Sequence, residues 1–253
     1  MAQKALNEAV LIETGRYRVR LAETRSDLAR AQALRARLFR GPAGAEDGDG
    51  FDPRCRHVLV EARASGALVC TYRLLDLCDG SRINESYAAQ FYELAPLGDF
   101  GGPMVEMGRF CIAPEAGDGD VLRLAWAAMT RIVEADGIEM LFGCSSFHGT
   151  DETEFLDAFA LLKARYIAPR KWRPRVKAPD VFRFARALRR TPDPKKAQKM
   201  MPPLLRAYLM MGGWVSDHAV RDRDLGTMHV FTGLEVGRVP ANRRRALIGM
   251  AGA

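Results

Sequence analysis

No two cysteines in this chain stand two residues apart, and the five present (Cys55, Cys70, Cys78, Cys111, Cys144) are odd in number. That excludes the usual zinc and dithiol redox spacings and reads as small buried hydrophobes in a reducing compartment. His57, His218 and His229 also lack metal-ligand spacing, so no metal site is expected. Nowhere do about 18 apolar residues run together, as a membrane-spanning helix requires. The nearest stretch, 204–215, is broken by Arg206. Residues 1–20 mix Lys4, Arg16, Arg18 and Arg20 with acids and lack the apolar core of a secretory signal, so a cytoplasmic protein is expected. There is no repeat and no low-complexity tract.

What is present is a chain of 253 residues, 48% of them hydrophobic, enough to bury one continuous core, and a single domain over 1–253 is expected. Tyr17, Val19 and Leu21 alternate with arginines, the period of a strand with one wet face. Ser26 is suited to cap a helix reaching Phe39, with Leu28, Ala31, Leu34 and Leu38 on one face, before Gly41 and Pro42 stop it. Residues 57–61 and 67–75 read as an antiparallel hairpin, and 104–112 as the next strand. Asp120 opens an amphipathic helix to Ile132, with Gly137 just beyond it, and 138–144 returns as a buried strand. Thr150 or Asp151 starts a helix to about Arg165, and Pro202 and Pro203 start another that Gly212 and Gly213 close. Strands over 214–220 and 228–236 finish the fold, leaving a short tail from about 237. The order of elements describes a mixed sheet rather than a doubly wound parallel one.

The net charge of +7 is unevenly spread. Between 163 and 199 there are 14 Lys and Arg against only Asp180 and Asp193, a local charge of +12 that leaves about −5 for the rest. This is a basic insertion of about 163–200. Within it Val181, Phe184, Ala185 and Leu188 share one helical face, with Arg183, Arg186, Arg189 and Arg190 elsewhere.

The strand over 104–112 is the most informative stretch, because Glu106, Gly108 and Arg109 interrupt what should be a buried central strand. Unpaired, those charges would be costly to bury. The glycine points to a bulge that re-aims side chains and exposes backbone N–H groups to a ligand. A purely structural ion pair between Glu106 and Arg109 is the alternative.

The run from Glu106 to Pro114, with 51–57 (Phe-Asp-Pro-Arg-Cys-Arg-His), 71–75 (Thr-Tyr-Arg-Leu-Leu) and 145–151 (Ser-Ser-Phe-His-Gly-Thr-Asp), resembles the ornithine-acyl carrier protein N-acyltransferases of ornithine-lipid synthesis. These are cousins of the acyl-homoserine lactone synthases. The resemblance covers roughly 16–236. It implies an α/β (α+β) fold of the N-acetyltransferase (GNAT) type: a mixed, mostly antiparallel sheet, flanked by helices, with a splayed central pair of strands that receives the donor. It also implies transfer of a long, 3-hydroxylated acyl chain from acyl carrier protein to ornithine, giving lyso-ornithine lipid. By position, Glu106 and Arg109 match the family's catalytic pair. Arg73, Asp49 and Asp52 match substrate-binding positions, and Asp47 stands beside them.

The chemistry needs a neutral amine at a thioester carbonyl, yet an α-amine with a pKa of about 7.7–8.0 is mostly protonated at neutral pH. Glu106 is the candidate base, directly or through a water, while the neighbouring Arg109 opposes proton uptake. Backbone N–H groups of Phe110, Cys111 and Ile112 are candidates to hold the acyl donor and its oxyanion. The Cys111 thiol reads as core rather than nucleophile. Ser146 and His148, in the loop expected after the fifth strand, are candidates for substrate binding: His148 suits the substrate carboxylate, the part of an alternative base, or a role in ordering the loop. The Asp47, Asp49 and Asp52 cluster suits an ornithine ammonium or a solvated turn. The loop 115–119 has no basic residue and lacks the pyrophosphate signature of coenzyme A enzymes, so the expected donor is the phosphopantetheine arm of acyl carrier protein, with no permanently bound cofactor.

The expected partners are acyl carrier protein and ornithine or another amino acid such as glutamine. The basic segment is suited to an acidic carrier surface, or to anionic lipid on the inner face of the cytoplasmic membrane, with a purely solvated loop as the other reading. Homoserine lactone synthesis is a rival, as are a nucleic-acid binder and a carrier-protein docking module without catalysis. No nucleic-acid motif is present, so no nucleic-acid partner is expected.

Overall fold

The computed structural model describes residues 10–41, 46–116 and 119–251. The expected stop at Pro42 and part of the 115–119 loop (Gly117, Asp118) lie outside them. In chain order the strands and helices are β1 (Val10–Glu13), β2 (Tyr17–Leu21), α1 (Arg25–Phe39), β3 (Arg56–Ala62), β4 (Leu68–Leu77), β5 (Tyr92–Glu93), β6 (Met104–Ile112), α2 (Asp120–Ala135) and β7 (Met140–His148). They continue with α3 (Leu156–Arg165), β8 (Arg175–Val176), β9 (Val181–Phe182), α4 (Phe184–Ala187), α5 (Pro194–Met200), α6 (Pro203–Met210), β10 (Trp214–Val215), β11 (Ala219–Asp222), β12 (Thr227–Glu235) and α7 (Ala241–Ala251). The contacts fall into two compact units, one of 1–76, 107–138 and 240–253, the other of 77–106 and 139–239. Strand β6 contributes its first three residues to the second unit and the rest to the first.

In the first unit the strand order is β1-β2-β3-β4-β6, with the pairings from β1 to β4 all antiparallel. Val19, Val58, Val60, Cys70 and Tyr72 are fully buried in it. The Tyr72 hydroxyl, sealed from water, donates to the Ala125 carbonyl of α2 at 3.0 Å, as a buried phenol must. Thr24, not Ser26, caps α1: its side chain accepts from the Asp27 amide, and Asp27 reaches back to the Thr24 amide in a capping box. Two residues more of helix follow from that choice.

In the second unit the order is β6-β7-β12-β11-β9, with β10 pairing with β12. The β7–β12 pairing is antiparallel and runs from His148↔Thr227 to Met140↔Glu235. Strand β7 is therefore longer than the sequence suggested and carries Ser146 and His148 itself, rather than in a following loop. The expected strand over 214–220 is instead β10 and β11, interrupted at Ser216–His218, where the Ser216 hydroxyl donates to the His218 carbonyl at 2.7 Å. Gly233 has to be glycine, because a Cβ there would stand 2.4 Å from the Trp214 indole that lies across it. The basic segment is pinned rather than loose. Phe184, Leu188 and Ala197 enter the core formed by α3 with Phe147, Met228 and Val230, while Arg183, Arg186, Arg189 and Arg190 stay exposed. The expected helical face over 181–188 is a short strand followed by a single turn, yet its division into apolar and basic sides holds. Among the described residues no helix is long and apolar enough to cross a membrane.

Candidate active site

Strand β6 holds Arg109 with φ = 53°, the left-handed region, and it is the one non-glycine residue among those described with positive φ. That conformation costs a side-chain-bearing residue about 1–2 kcal/mol. The irregularity expected at Gly108 thus falls one residue later, and ionic contacts explain how it is held. Arg109 Nε lies 3.2 Å from Asp47 Oδ2, and its Nη2 3.4 Å from Asp49 Oδ2.

These two acids belong to a larger network in the first unit. Arg35, on α1 and 1% exposed, donates to Asp47 Oδ2 at 2.7 Å and to both Asp52 oxygens at 2.9 and 3.1 Å, and also to the Asp47 carbonyl. Arg73 donates to Asp49 at 2.5 and 2.8 Å and to Asp52 Oδ1 at 2.6 Å. Gln32 supplies a further donor to Asp52 Oδ2 at 2.9 Å. Asp52 therefore receives four donors, about the capacity of a carboxylate. Burial pushes its carboxyl up, but the hydrogen bonds from Arg35 and Gln32 outweigh this and hold it well below the usual range. Asp49 follows the same pattern with Arg73 and is held low, yet its side chain stays 27% exposed. The Arg73 guanidinium also lies over the Phe51 ring, 5.5 Å from its centroid. His57 is buried, with Nε2 3.0 Å from the Asp52 carbonyl, and burial lowers its pKa.

Phe110 stacks on Tyr72 at 5.6 Å between centroids, Ile112 is half-buried, and Cys111 packs against Leu34 and Ala113. Burial pushes the Cys111 thiol up to about 12, so it is a core group with no thiolate to offer at neutral pH. Any part it takes in donor binding is through its backbone.

In the second unit Glu106 is 4% exposed, and its oxygens accept the backbone N–H groups of Tyr87 and Ala88, each at 2.7 Å. These amides open the short helical turn at Ala88–Gln90, where N–H groups lack partners of their own. Tyr208, on α6, is buried; burial first, then the charge of Glu106, pushes its hydroxyl up and keeps it neutral. Ser146 and His148 lie two apart on one exposed face of β7. Tyr92 and His229 form a buried polar pair, the tyrosine donating to the His229 carbonyl at 2.8 Å, and burial lowers the His229 pKa to about 3.

The structure thus joins Asp47, Asp49, Asp52, Arg73 and Arg109 in one network of the first unit, and sets Glu106, Ser146 and His148 in the second. The sequence reading missed Arg35, Tyr208 and the Tyr87–Ala88 amides. Arg35 left a signal, since it falls four residues after Ala31 and seven after Leu28 on the apolar face of α1. A backbone amide leaves none.

A family model for the acetyltransferase (GNAT) domain matches residues 30–127. Among solved structures, an N-acyl amino acid synthase from uncultured soil microbes aligns with a TM-score of 0.51 at 12% identity, covering 94% of this chain and 98% of that one. The loading GNAT-like domain of CurA from Lyngbya majuscula aligns at 0.50 with 13% identity, covering 87% and 98%. These likenesses fix the fold as a GNAT-like mixed, mostly antiparallel sheet with helices. In sequence, the L-ornithine N(alpha)-acyltransferase of Rhodobacter capsulatus is 32% identical over 85% of this chain and 88% of its own length. The Brucella abortus protein of the same name is 30% identical over 94% and 92%. With nearly the whole chain aligned at this identity to these relatives, this protein is an acyltransferase and belongs to the L-ornithine N(alpha)-acyltransferase family.

Proposed function

We propose that the chain moves a long, 3-hydroxylated fatty acyl group from the phosphopantetheine thioester of acyl carrier protein to the α-amine of ornithine, giving lyso-ornithine lipid. The observation that carries this reading is the setting of Glu106, a carboxylate sealed from bulk water and held at 2.7 Å by each of two neutral backbone amides. Those two donors fix the direction of the carboxylate, and an oriented carboxylate suits the part of a base for the acceptor amine. The names of the Rhodobacter and Brucella relatives support ornithine as the acceptor.

In the reaction the thioester C–S bond breaks and an amide C–N bond forms. The α-ammonium gives one proton to Glu106, directly or through a water; after the neutral amine attacks the thioester carbonyl, its second proton goes to the departing thiolate. Phe110, Cys111 and Ile112 are the donor-side positions. Asp49, the part-exposed acid of the cluster, is assigned to the acceptor's side-chain ammonium, with Arg73, Asp52 and Arg109 fixing its position. Ser146 and His148 are assigned to the acceptor carboxylate.

The test is incubation of the pure protein with long-chain acyl carrier protein and each amino acid in turn, reading thiol release and N-acyl product by mass spectrometry. Acylated ornithine is expected. A glutamine product would remove ornithine from the reading, and no product with any amino acid would remove the reading itself.

A further inference from the structure

Arginines in this protein are usually given carboxylates. Arg20 is held between Asp27 and Glu61, Arg56 between Asp76 and Asp136, and Arg221 between Glu152 and Asp180. A pocket of about 700 Å³ in the second unit breaks that habit, gathering Arg170, Lys171, Arg173, Arg175 and Arg183. Two acids line it as well, Asp99 and Asp217, which leaves the five bases three positive charges in excess. Asp217 lies 2.7 Å from His218 Nδ1, which lowers its pKa.

The positive groups are positioned rather than scattered. Arg173 is fixed by two hydrogen bonds to the Ala168 carbonyl, at 3.2 and 2.9 Å. Lys171 lies over the Trp172 ring at 4.3 Å, and Trp172 is itself packed edge-on against Phe100. Arg175 makes one loose ionic contact, 3.5 Å from Glu93. Arg170 and Arg183 have no hydrogen-bond or ion-pair partner for their guanidinium groups among the described residues. An excess of three positive charges around one cavity favours an anion there, and arginine is the side chain best shaped to grip phosphate oxygens. The volume greatly exceeds a bare phosphate and falls in the range of small-molecule sites. Ala95, Pro96, Pro174 and Val176 give it an apolar part that a carbon skeleton would cover.

We propose that this pocket binds a phosphate ester carrying a small organic group, either free or as the headgroup of an anionic lipid. The inference is independent of the acyl-transfer reading, since none of its residues contributes to the Glu106 cradle. Titration calorimetry of the full chain with glycerol 3-phosphate, and sedimentation with phosphatidylglycerol or phosphatidylcholine vesicles, tests it at physiological ionic strength. Saturable one-to-one binding of the soluble ester identifies a free ligand. Binding to the phosphatidylglycerol vesicles alone identifies a headgroup in its bilayer. In either case Arg170→Ala and Arg183→Ala are each expected to weaken binding about tenfold, while Arg189→Ala, an exposed base outside the pocket, leaves it unchanged.

Equal weakening by Arg189→Ala would reduce the effect to diffuse charge and overturn the site. So would absence of binding to both probes, including the case in which the pocket variants impair only the affinity for acyl carrier protein.

Discussion

Glu106 and Asp52 are both almost fully buried carboxylates, and they are held in opposite ways. Asp52 sits among guanidinium groups and a carboxamide that fill its acceptor sites, so its charge is cancelled and its position locked. Glu106 is gripped by two peptide N–H groups, which orient it without bringing a formal charge. A carboxylate saturated by arginines serves a scaffold, because any proton it took up would break an ionic bond. Glu106, oriented by peptide N–H groups, is the carboxylate assigned above to take the proton of the acceptor amine. Under the proposed mechanism, the difference separates a group that shapes the site from a group that reacts in it.

The hardest blow to that distinction would come from Glu106→Gln. The substitution is expected to lower kcat by about 10²–10⁴-fold, the usual worth of a positioned base. The amide also turns an N–H toward one of the two peptide donors, so folding must be checked separately by thermal melting. The deciding measurement is the pH profile of kcat/KM. Loss of its acidic limb marks a base, whereas a uniformly lowered profile of unchanged shape would make Glu106 a positioning residue like Asp52.

Arg35→Leu probes the other side. It leaves Asp47 and Asp52 buried without their main cation, and breaking a buried pair in this way costs about 3–5 kcal/mol of stability, read by urea unfolding. Asp52 is held below its unfolded pKa, so its stabilising contribution is complete above the unfolded value of about 3.9 and is lost as pH falls toward the folded one. Removing Arg35 raises the folded value. The deficit of the variant is therefore largest near neutrality and narrows below about pH 4. A deficit independent of pH across that window would mean that lost packing, not charge, is the cost.

The same contrast explains what was legible in the sequence. Strand β6 was visible at its full length, because apolar residues flank charges that a central strand cannot carry idly. The hairpin of β3 and β4 was visible through its turn residues, and α2 through its periodicity. The acids at 47, 49 and 52 could be seen as a cluster, but not which of them is saturated. That depends on Arg35 and Gln32, both brought in by α1, and although Arg35 stands on the apolar face of that helix, its position there does not say which acids it meets. The cradle of Glu106 was invisible in principle, since peptide N–H groups belong to every residue and only the turn at Ala88–Gln90 aims two of them together. Helix α7 was missed because 237–253 carries no clear apolar period, and its interior holds three successive arginines.

The smallest expected effect is at Asp49, which lies between the two extremes. It is hydrogen-bonded by Arg73 and the Phe51 amide like a scaffold acid, yet it keeps 27% of its side chain exposed like a binding group. In Asp49→Asn one oxygen remains to accept from Arg73, and solvent reaches the site, so stability should fall by no more than about 1 kcal/mol. If the carboxylate also receives the acceptor's ammonium, KM for ornithine rises about tenfold while kcat is nearly kept, the signature of binding shared equally by ground and transition states. An acceptor with a neutral side chain would then lose nothing. Should KM for both acceptors rise together, Asp49 would join Asp52 as part of the frame, and the ammonium would have to be recognised elsewhere.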